Sequence, residues 1–410
     1  MAERLTIGLS LSLTGKYALM GRQAELGLRL FVADTNAAGG ARIGRQHYEL
    51  ALHCEDDCSE RAKCVEVYRS LCFENRAELL LGPYSSELAR CAAPIAERAG
   101  VLMVNHGGAD DRLHAGAPRS IVSVLSPASD YLRNFVRLLA DLKFWRKRLA
   151  LVTSAGGGFA AAVAEGVERA CAERRTRRRG VRLRVKYTGR FDPERTPAIL
   201  FPALTRGRVN ALCSVGDFEH DTALMRAIVR SGLNVPVLAC VGAGIHRFGE
   251  EMGEDAEGIV GSSQWEESAN REPEIGPSSS EFARRMRAAG FGAYCDYPAA
   301  QAYAAGLLAL AAASNAGSLD QRRIRDAFCG LRTSTLFGQF AIDPANGCQV
   351  GHRMLLVQWH TGQKVVIEPD ADAASGTLEF PSGWRLLLSS FQMLRLSRKA
   401  SDDDQDNPES

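Results

Sequence analysis

No phosphate loop of the G-x-x-x-x-G-K-[ST] type, no G-x-S-x-G elbow and no H-E-x-x-H pair occurs in the 410 residues. The commonest signatures of nucleotide-driven, nucleophilic and metal-assisted hydrolysis are therefore missing. Charge of one sign is also lacking, since 50 basic against 48 acidic residues leave a formal +2. No global field draws such a chain onto nucleic acid or an anionic membrane. The longest apolar run, Ala302 to Ala313, falls short of the about 20 residues a bilayer span needs and reads as a buried alanine-rich helix. The opening Met-Ala-Glu-Arg carries no charged leader, apolar core or cleavage site, so a cytoplasmic place is expected for the chain as it begins here, and a periplasmic one if the true start lies upstream.

What is present is a globular balance, 46% hydrophobic and 24% charged, enough for two or three compact units. Cysteine is plentiful, at 11, but the number is odd and no CxxC pair exists, so a closed disulfide framework is not expected. Most of these thiols sit in apolar runs such as Ala211-Leu212-Cys213, as small buried hydrophobes do. Cys54, Cys58 and Cys64 with His53 lack a second half-site at zinc spacing, and no metal is expected.

Two rounds of strand, helix, strand follow one another. Leu5 to Ser12, Tyr48 to Cys54, Glu78 to Leu81, Val101 to Val104 and Ser120 to Leu125 read as strands, with helices at Gln23 to Asn36, Ser59 to Phe73 and Ser86 to Ala99 between the first four. A helical stretch, Ser129 to Leu142, leads into the second round, with strands at Arg148 to Thr153, Val181 to Tyr187, Val209 to Val215 and Val235 to Ala239. This pattern predicts an α/β chain with two doubly wound parallel-sheet lobes. Three helices and an antiparallel part, Gly338 to Ile367, with a turn at Asp343 to Gly347 follow.

In parallel sheets ligands sit at the carboxyl ends of strands. Leu81-Gly82-Pro83-Tyr84-Ser85-Ser86 puts a tight turn and a serine at the start of a helix, where free N–H groups and the hydroxyl form a seat for a carboxylate or carbonyl oxygen. The same atoms also serve a plain helix cap. Asn105-His106-Gly107-Gly108-Ala109-Asp110 is a second such loop, whose glycines permit close approach to the backbone. His106 has no nucleophile to pair with and reads as a loop histidine. In the second round, Gly156 to Ala161 holds G-x-G-x-x-A between strand and helix, but the following strand carries Arg184 and Lys186 instead of the expected acid. The run Arg174 to Arg179 reads as a solvated helix end or as a patch for an anionic partner.

Ile7-Gly8-Leu9-Ser10-Leu11-Ser12-Leu13-Thr14-Gly15, the segment Ala33 to Gly40, Leu81-Gly82-Pro83 with Ser86, Ala256-Glu257-Gly258, and Phe340-Ala341-Ile342-Asp343 before Asn346-Gly347 occur in an order that resembles the type I solute-binding proteins of the leucine, isoleucine, valine and amide-binding class. The resemblance runs from about Leu5 to Pro369. It implies two lobes joined by three crossovers, near Leu125, Ser263 and Ala341, that close like a flytrap on a small ligand and perform no chemistry on it. The implied lobes are 1–124 plus 264–341 and 125–263 plus 342–369, with an extension at 370–410. By position it implies Ser86 as the holder of the ligand's carboxylate or amide oxygen, Asn105, Gly107 and Ala109 in the loop for the polar head, Met20 over the ligand's side chain, and Tyr84 and Ser85 in the first turn. In the second lobe it implies Ala155, Asp217 and Gly242. No acid follows at Cys240 to Gly244 to neutralise an ammonium group, so a zwitterionic amino acid fits only if Asp217 takes that role. Cys58 matches one of the paired cysteines of exported relatives, and Ser85 stands at the other.

The expected function is therefore binding of an amide, carboxylate or amino-acid-like solute in the interlobe cleft, with no cofactor. An ABC permease or a cytoplasmic regulator is the expected partner, and a homodimer is admitted. The alternative is an NADP-dependent oxidoreductase using Gly156 to Ala161 with Arg184 or Lys186. A hollow is expected beside the Tyr84 turn. From Phe380 to Lys399 a short amphipathic helix is expected, docking on the chain's own surface or on a partner, before an acidic disordered tail, Ser401 to Ser410.

Overall fold

The computed structural model describes residues 3–75, 77–142, 147–155, 157–175, 180–269, 272–290, 295–368 and Leu378. Most of the basic run, Gly156, and the whole segment expected as an amphipathic helix and acidic tail lie outside them. The first six strands are β1 (Glu3–Leu11), β2 (Ala41–Ile43), β3 (Gln46–Asp56), β4 (Leu79–Leu81), β5 (Met103–Asn105) and β6 (Ile121–Ser123). They form one sheet in the order β2-β3-β1-β4-β5-β6, parallel except where β2 turns back on β3. That edge strand carries a charged residue between two apolar ones, too short a pattern to separate from a loop in the sequence.

The second sheet holds β7 (Arg148–Thr153), β8 (Arg182–Thr188), β9 (Ala211–Val215), β10 (Val237–Cys240), β11 (Val260–Ser263), β14 (Leu355–His360) and β15 (Gln363–Glu368), in the order β15-β14-β11-β10-β9-β7-β8. β12 (Thr333–Thr335) and β13 (Gly338–Phe340) make a separate hairpin. Strands such as β4, β5, β6 and β9 are buried at every position, because helices cover both faces.

Helices α1 (Ala18–Ala37), α2 (Arg61–Arg69) and α3 (Ser86–Ala99) connect the first sheet, and α4 (Arg133–Asp141), α5 (Gly158–Arg175), α6 (Arg195–Gly207), α7 (Phe218–Arg230) and α8 (His246–Met252) connect the second. α1 begins a turn earlier than the apolar period suggests, which places Met20 on the helix, half-buried against the core. The expected helix from Ser59 ends as α2 at Arg69 and continues as one π-helical turn, Ser70–Glu74. α9 (Ser279–Ala288), α10 (Tyr297–Ala316) and α11 (Gln321–Gly330) return to the first sheet, where α10 lies along α1 with residues such as Ala299, Ala302 and Leu308 buried. Fully buried Phe31, Phe135, Phe248, Phe282 and Phe328 each contribute roughly 2 kcal/mol or more of burial free energy. Among the described residues no single helix is long and apolar enough to cross a membrane, and no group of three or more His, Cys, Asp or Glu stands where it could hold a metal ion.

The chain crosses between the sheets three times, and one buried network stitches all three crossovers. Gln264 accepts from Ser126 N at 3.1 Å and donates back to Ser126 O at 3.1 Å. His352 joins Ser126 Oγ at 2.7 Å to the Gln264 carbonyl at 2.9 Å, and Phe337 stacks on its ring. Each crossover thus satisfies polar groups of the others where water is excluded. A hollow of about 20 Å³, room for about one water, adjoins this network. A larger one, about 440 Å³, lies on the outer face of the first lobe between Arg4, Arg29, Glu49 and Leu52.

Candidate functional site

The carboxyl ends of β4 and β5 come together. Gly82 N donates to Val104 O at 2.9 Å, and Gly107 lies so close to the first turn that a Cβ there would sit 2.7 Å from Tyr84 Cα. Only glycine allows the two loops to meet backbone to backbone. Ser86, buried in the first turn of α3, accepts from Ala109 N at 2.9 Å and Asp110 N at 3.2 Å. Its hydroxyl proton is what remains to offer a ligand. Asn105 is turned inward: its amide donates to Gly108 O and to Ser123 Oγ, both at 2.7 Å, and accepts from Gly108 N at 2.9 Å. It holds the shape of the loop, and Ala109 likewise has both backbone groups occupied.

Ser85 stands at the N-cap of α3 without capping it; its buried Oγ lies by the Tyr17 hydroxyl without meeting it in full hydrogen-bond geometry. Tyr84 is half-buried, and burial pushes its hydroxyl up to about 12 against a hydrogen bond with Tyr297. Beside the turn, Glu87 is pushed up by burial, but hydrogen bonds from Lys16, Tyr17 and Arg61 outweigh this and hold it at about 2. His106 is fully buried; no group meets either ring nitrogen with hydrogen-bond geometry. Burial pushes it down to about 4, with the Gly82 backbone opposing. It is a neutral core histidine, not a base facing a ligand.

The second lobe presents less. Ala155 is exposed. Asp217 is exposed and caps α7 by accepting His220 N at 2.8 Å, the structural use that sequence reading left open beside a ligand role. Gly242 N is already taken by Asp221 Oδ2 at 2.9 Å. Asp221 is the acid that the Cys240 to Gly244 loop itself lacks. It is fully buried, also accepts from Ser214 Oγ at 2.8 Å, and is pushed up to about 7 by burial, with the Gly242 and Ser214 bonds opposing. Nothing in the local pattern singles it out among the polar residues opening α7.

The glycine turn that suggested a dinucleotide meets protein instead. A Cβ on Gly158 would lie 2.5 Å from Asp110 Oδ2 and overlap the Arg112 guanidinium, which is itself bonded to Asp110 at 2.9 and 3.0 Å. Lys186 is paired with Glu168 at 2.6 Å. An ion pair of the first lobe therefore stands where the oxidoreductase reading needs an open phosphate seat.

Neither hollow described above lies beside the Tyr84 turn. Aromatic side chains from both sides stand there. Tyr84 interacts with Tyr297, Tyr131 packs edge-on against Phe159 at 5.0 Å, and Gln264 donates to the Tyr131 hydroxyl at 3.1 Å. Sequence reasoning missed Tyr131, Phe159, Gln264 and Tyr297, since no local signal distinguishes a cleft aromatic from a core one.

Similarity to known proteins agrees with this frame. The chain resembles a leucine-binding protein from Thermotoga maritima at 20% identity and a TM-score of 0.73, over 90% of this chain and 99% of the other. It resembles the branched-chain amino acid transporter substrate-binding protein of Streptococcus pneumoniae, solved with isoleucine, at 20% identity and 0.71, over 90% and 100%. A solute-binding protein of an ABC transporter from R. palustris, solved with benzoate, is similar at 18% identity and 0.70, over 89% and 95%. A family model described as periplasmic binding protein matches residues 4–364, nearly all of the described fold, and the chain belongs to the periplasmic binding protein family.

Proposed function

We propose that the chain captures a small organic carboxylate or amide that lacks an ammonium group, and that it does so as the solute-binding component serving an ABC permease. The observation that carries this reading is the asymmetry of the cleft. One side offers the N-terminal turn of α3 with the Ser86 and Ser85 hydroxyls, a seat for an anionic or carbonyl oxygen. On the other, Asp217 is spent on a helix end and Asp221 is buried beneath its loop. An amino acid's ammonium group would meet at these loops only Asp217, an exposed carboxylate already engaged as a helix cap and therefore a weak counter-charge.

Tyr84, Tyr131, Tyr297 and Phe159 suit an apolar or aromatic body. The benzoate found with the R. palustris protein is a solute of this chemistry and serves as the first probe. A thermal-shift panel of benzoate, hydroxybenzoates, acetamide, propionamide, L-leucine and L-isoleucine tests the reading. Saturation at about 100 times Kd adds roughly 2.7 kcal/mol, so a carboxylate or amide should raise the melting temperature and the amino acids should not. A response to L-leucine or L-isoleucine alone would overturn it. A cytoplasmic sensing role, with a regulator as partner, is separated from transport by cell fractionation and by whether uptake of the solute depends on the chain.

A further inference from the structure

Away from the strand-end loops lies a buried charge cluster that the account of the cleft does not use. Lys364 of β15 is 2% exposed at its side chain and donates to Glu266 Oε1 at 2.8 Å, Asp296 Oδ1 at 2.9 Å and the Gly244 carbonyl at 3.0 Å. His246, at the start of α8, meets Asp296 Oδ1 through Nδ1 at 2.7 Å, and its backbone N–H donates to the same carboxylate. Asp296 precedes α10 on the other lobe, where Gln23 of α1 accepts its backbone N–H at 3.1 Å. Glu266 sits just past the second crossover. One carboxylate of the first lobe is therefore held by a lysine and a histidine of the second.

We propose that Asp296 is a positioning residue that couples closure of the lobes to the solute site, Lys364 and His246 of the second lobe gripping its carboxylate beside Tyr297, which meets Tyr84 within the first lobe. The proposal rests on the cleft being the solute site. Two features make the cluster a reversible latch instead of a fixed strut. Lys364 has two carboxylates, and Glu266 stands at the crossover itself, where the nearby Ala269 packs on Leu355, Val357 and Val366 of the second sheet, so it stays with Lys364 if Asp296 leaves and opening strands no bare ammonium. Asp296 in turn keeps Gln23 and gains water. The carboxylates are also unequal. Burial works to raise Asp296, but Lys364 and His246 outweigh it and hold the group well below the usual carboxylate range, whereas burial raises Glu266 against Lys364. The pull of Lys364 and His246 thus falls on Asp296 together. Such a contact adds differential stability to one arrangement, which is what shifts a two-state population.

The test uses the full chain and the variants Asp296→Asn and His246→Asn. Small-angle scattering without added solute should show a larger radius of gyration for Asp296→Asn, with faster amide exchange at His246–Met252 and the first turns of α10. Affinity for benzoate should fall about tenfold, as expected when the competent state drops to about a tenth of its population. His246→Asn should move every reading the same way by less, and the double variant should be no worse than Asp296→Asn alone, because both act through one contact. If Asp296→Asn does not fold, His246→Asn carries the test. Unchanged radius and exchange in the folded variants, even with a lowered melting temperature, would overturn the latch. If the wild type ignores benzoate while the variants still expand, the latch stands and the solute reading alone is revised.

Discussion

The two sides of the cleft are built from the same strand-loop-helix grammar and use their polar groups in opposite ways. After β4 and β5, Ser86 ties the two loops together while Asn105 braces the second from within, and the start of α3 is left with hydroxyl groups to offer. After β9 and β10, the acids are withdrawn: Asp217 caps α7 and Asp221 lies under Gly242. The first arrangement leaves polar groups at the start of a helix, and the second engages one exposed acid as a helix cap and buries the other. The contrast extends to titration, because His106 is a buried histidine behind the first pair of loops and Asp221 a buried carboxyl group behind the second.

That contrast can be sharpened most strongly by pH. Asp221 has a folded pKa of about 7, above the ordinary carboxylate value. The folded state therefore binds more protons than the unfolded one, and the group's contribution falls as pH rises from about 4 to about 7, by up to about 1.4 kcal/mol per unit. His106, at about 4 when folded, does the reverse, and its contribution is lost as pH falls from about 6.5 towards 4. The two oppose each other in the wild type. Urea unfolding of Asp221→Asn should leave stability rising more steeply with pH than in the wild type over this window, and His106→Gln should leave it falling. Parallel curves for all three would remove the titration contrast.

Next in size is the packing of the two loops. Gly107→Ala places a methyl against backbone, 2.7 Å from Tyr84 Cα, and should cost about 3 kcal/mol. Its counterpart Gly242→Ala meets the Asp221 side chain at 3.2 Å and should cost less than about 1 kcal/mol; denaturant midpoints at one pH decide whether the order holds. Removing the Ser86 hydroxyl should weaken the carboxylate or amide hit at least about tenfold, or about 1.4 kcal/mol, as read by calorimetry, with the fold kept. An unchanged Kd would move the head group away from α3. The smallest effect belongs to Asp217→Ala, which should lose about 1 kcal/mol of helix capping and leave solute affinity as it was. A large loss of affinity would put a charge back into the second wall.

Much of this was legible in the sequence. Alternation of Val, Ile and Leu runs with helical period marked both sheets, because parallel strands buried on two faces must be continuously apolar. The turn at Gly82 to Ser86 and the loop at Asn105 to Ala109 were identifiable as strand ends, and they do lie side by side. The short edge strand β2 escaped because three residues carry too little period, and the π-helical turn at Ser70–Glu74 because its composition does not differ from that of a helix. Among the site residues the limits were sharper. Asn105 and Asp217 stood at the right ends of the right strands, yet their side chains bond within the loop and the helix cap. Tyr297 and Gln264, from distant parts of the chain, share the cleft region with Tyr84 and Tyr131.

By itself, the order of residues determined the class of fold, the loops that follow the strand ends, and the want of a long apolar span or a single-signed field. These depend on local period and composition, which neighbouring residues set. Only the tertiary structure decided which acids face the cleft, which turn inward, and that Asp296 crosses to Lys364, 68 residues further along the chain. The free energy of a charge depends on what surrounds it in three dimensions, and chain crossings bring those surroundings from segments whose separation the local pattern does not record.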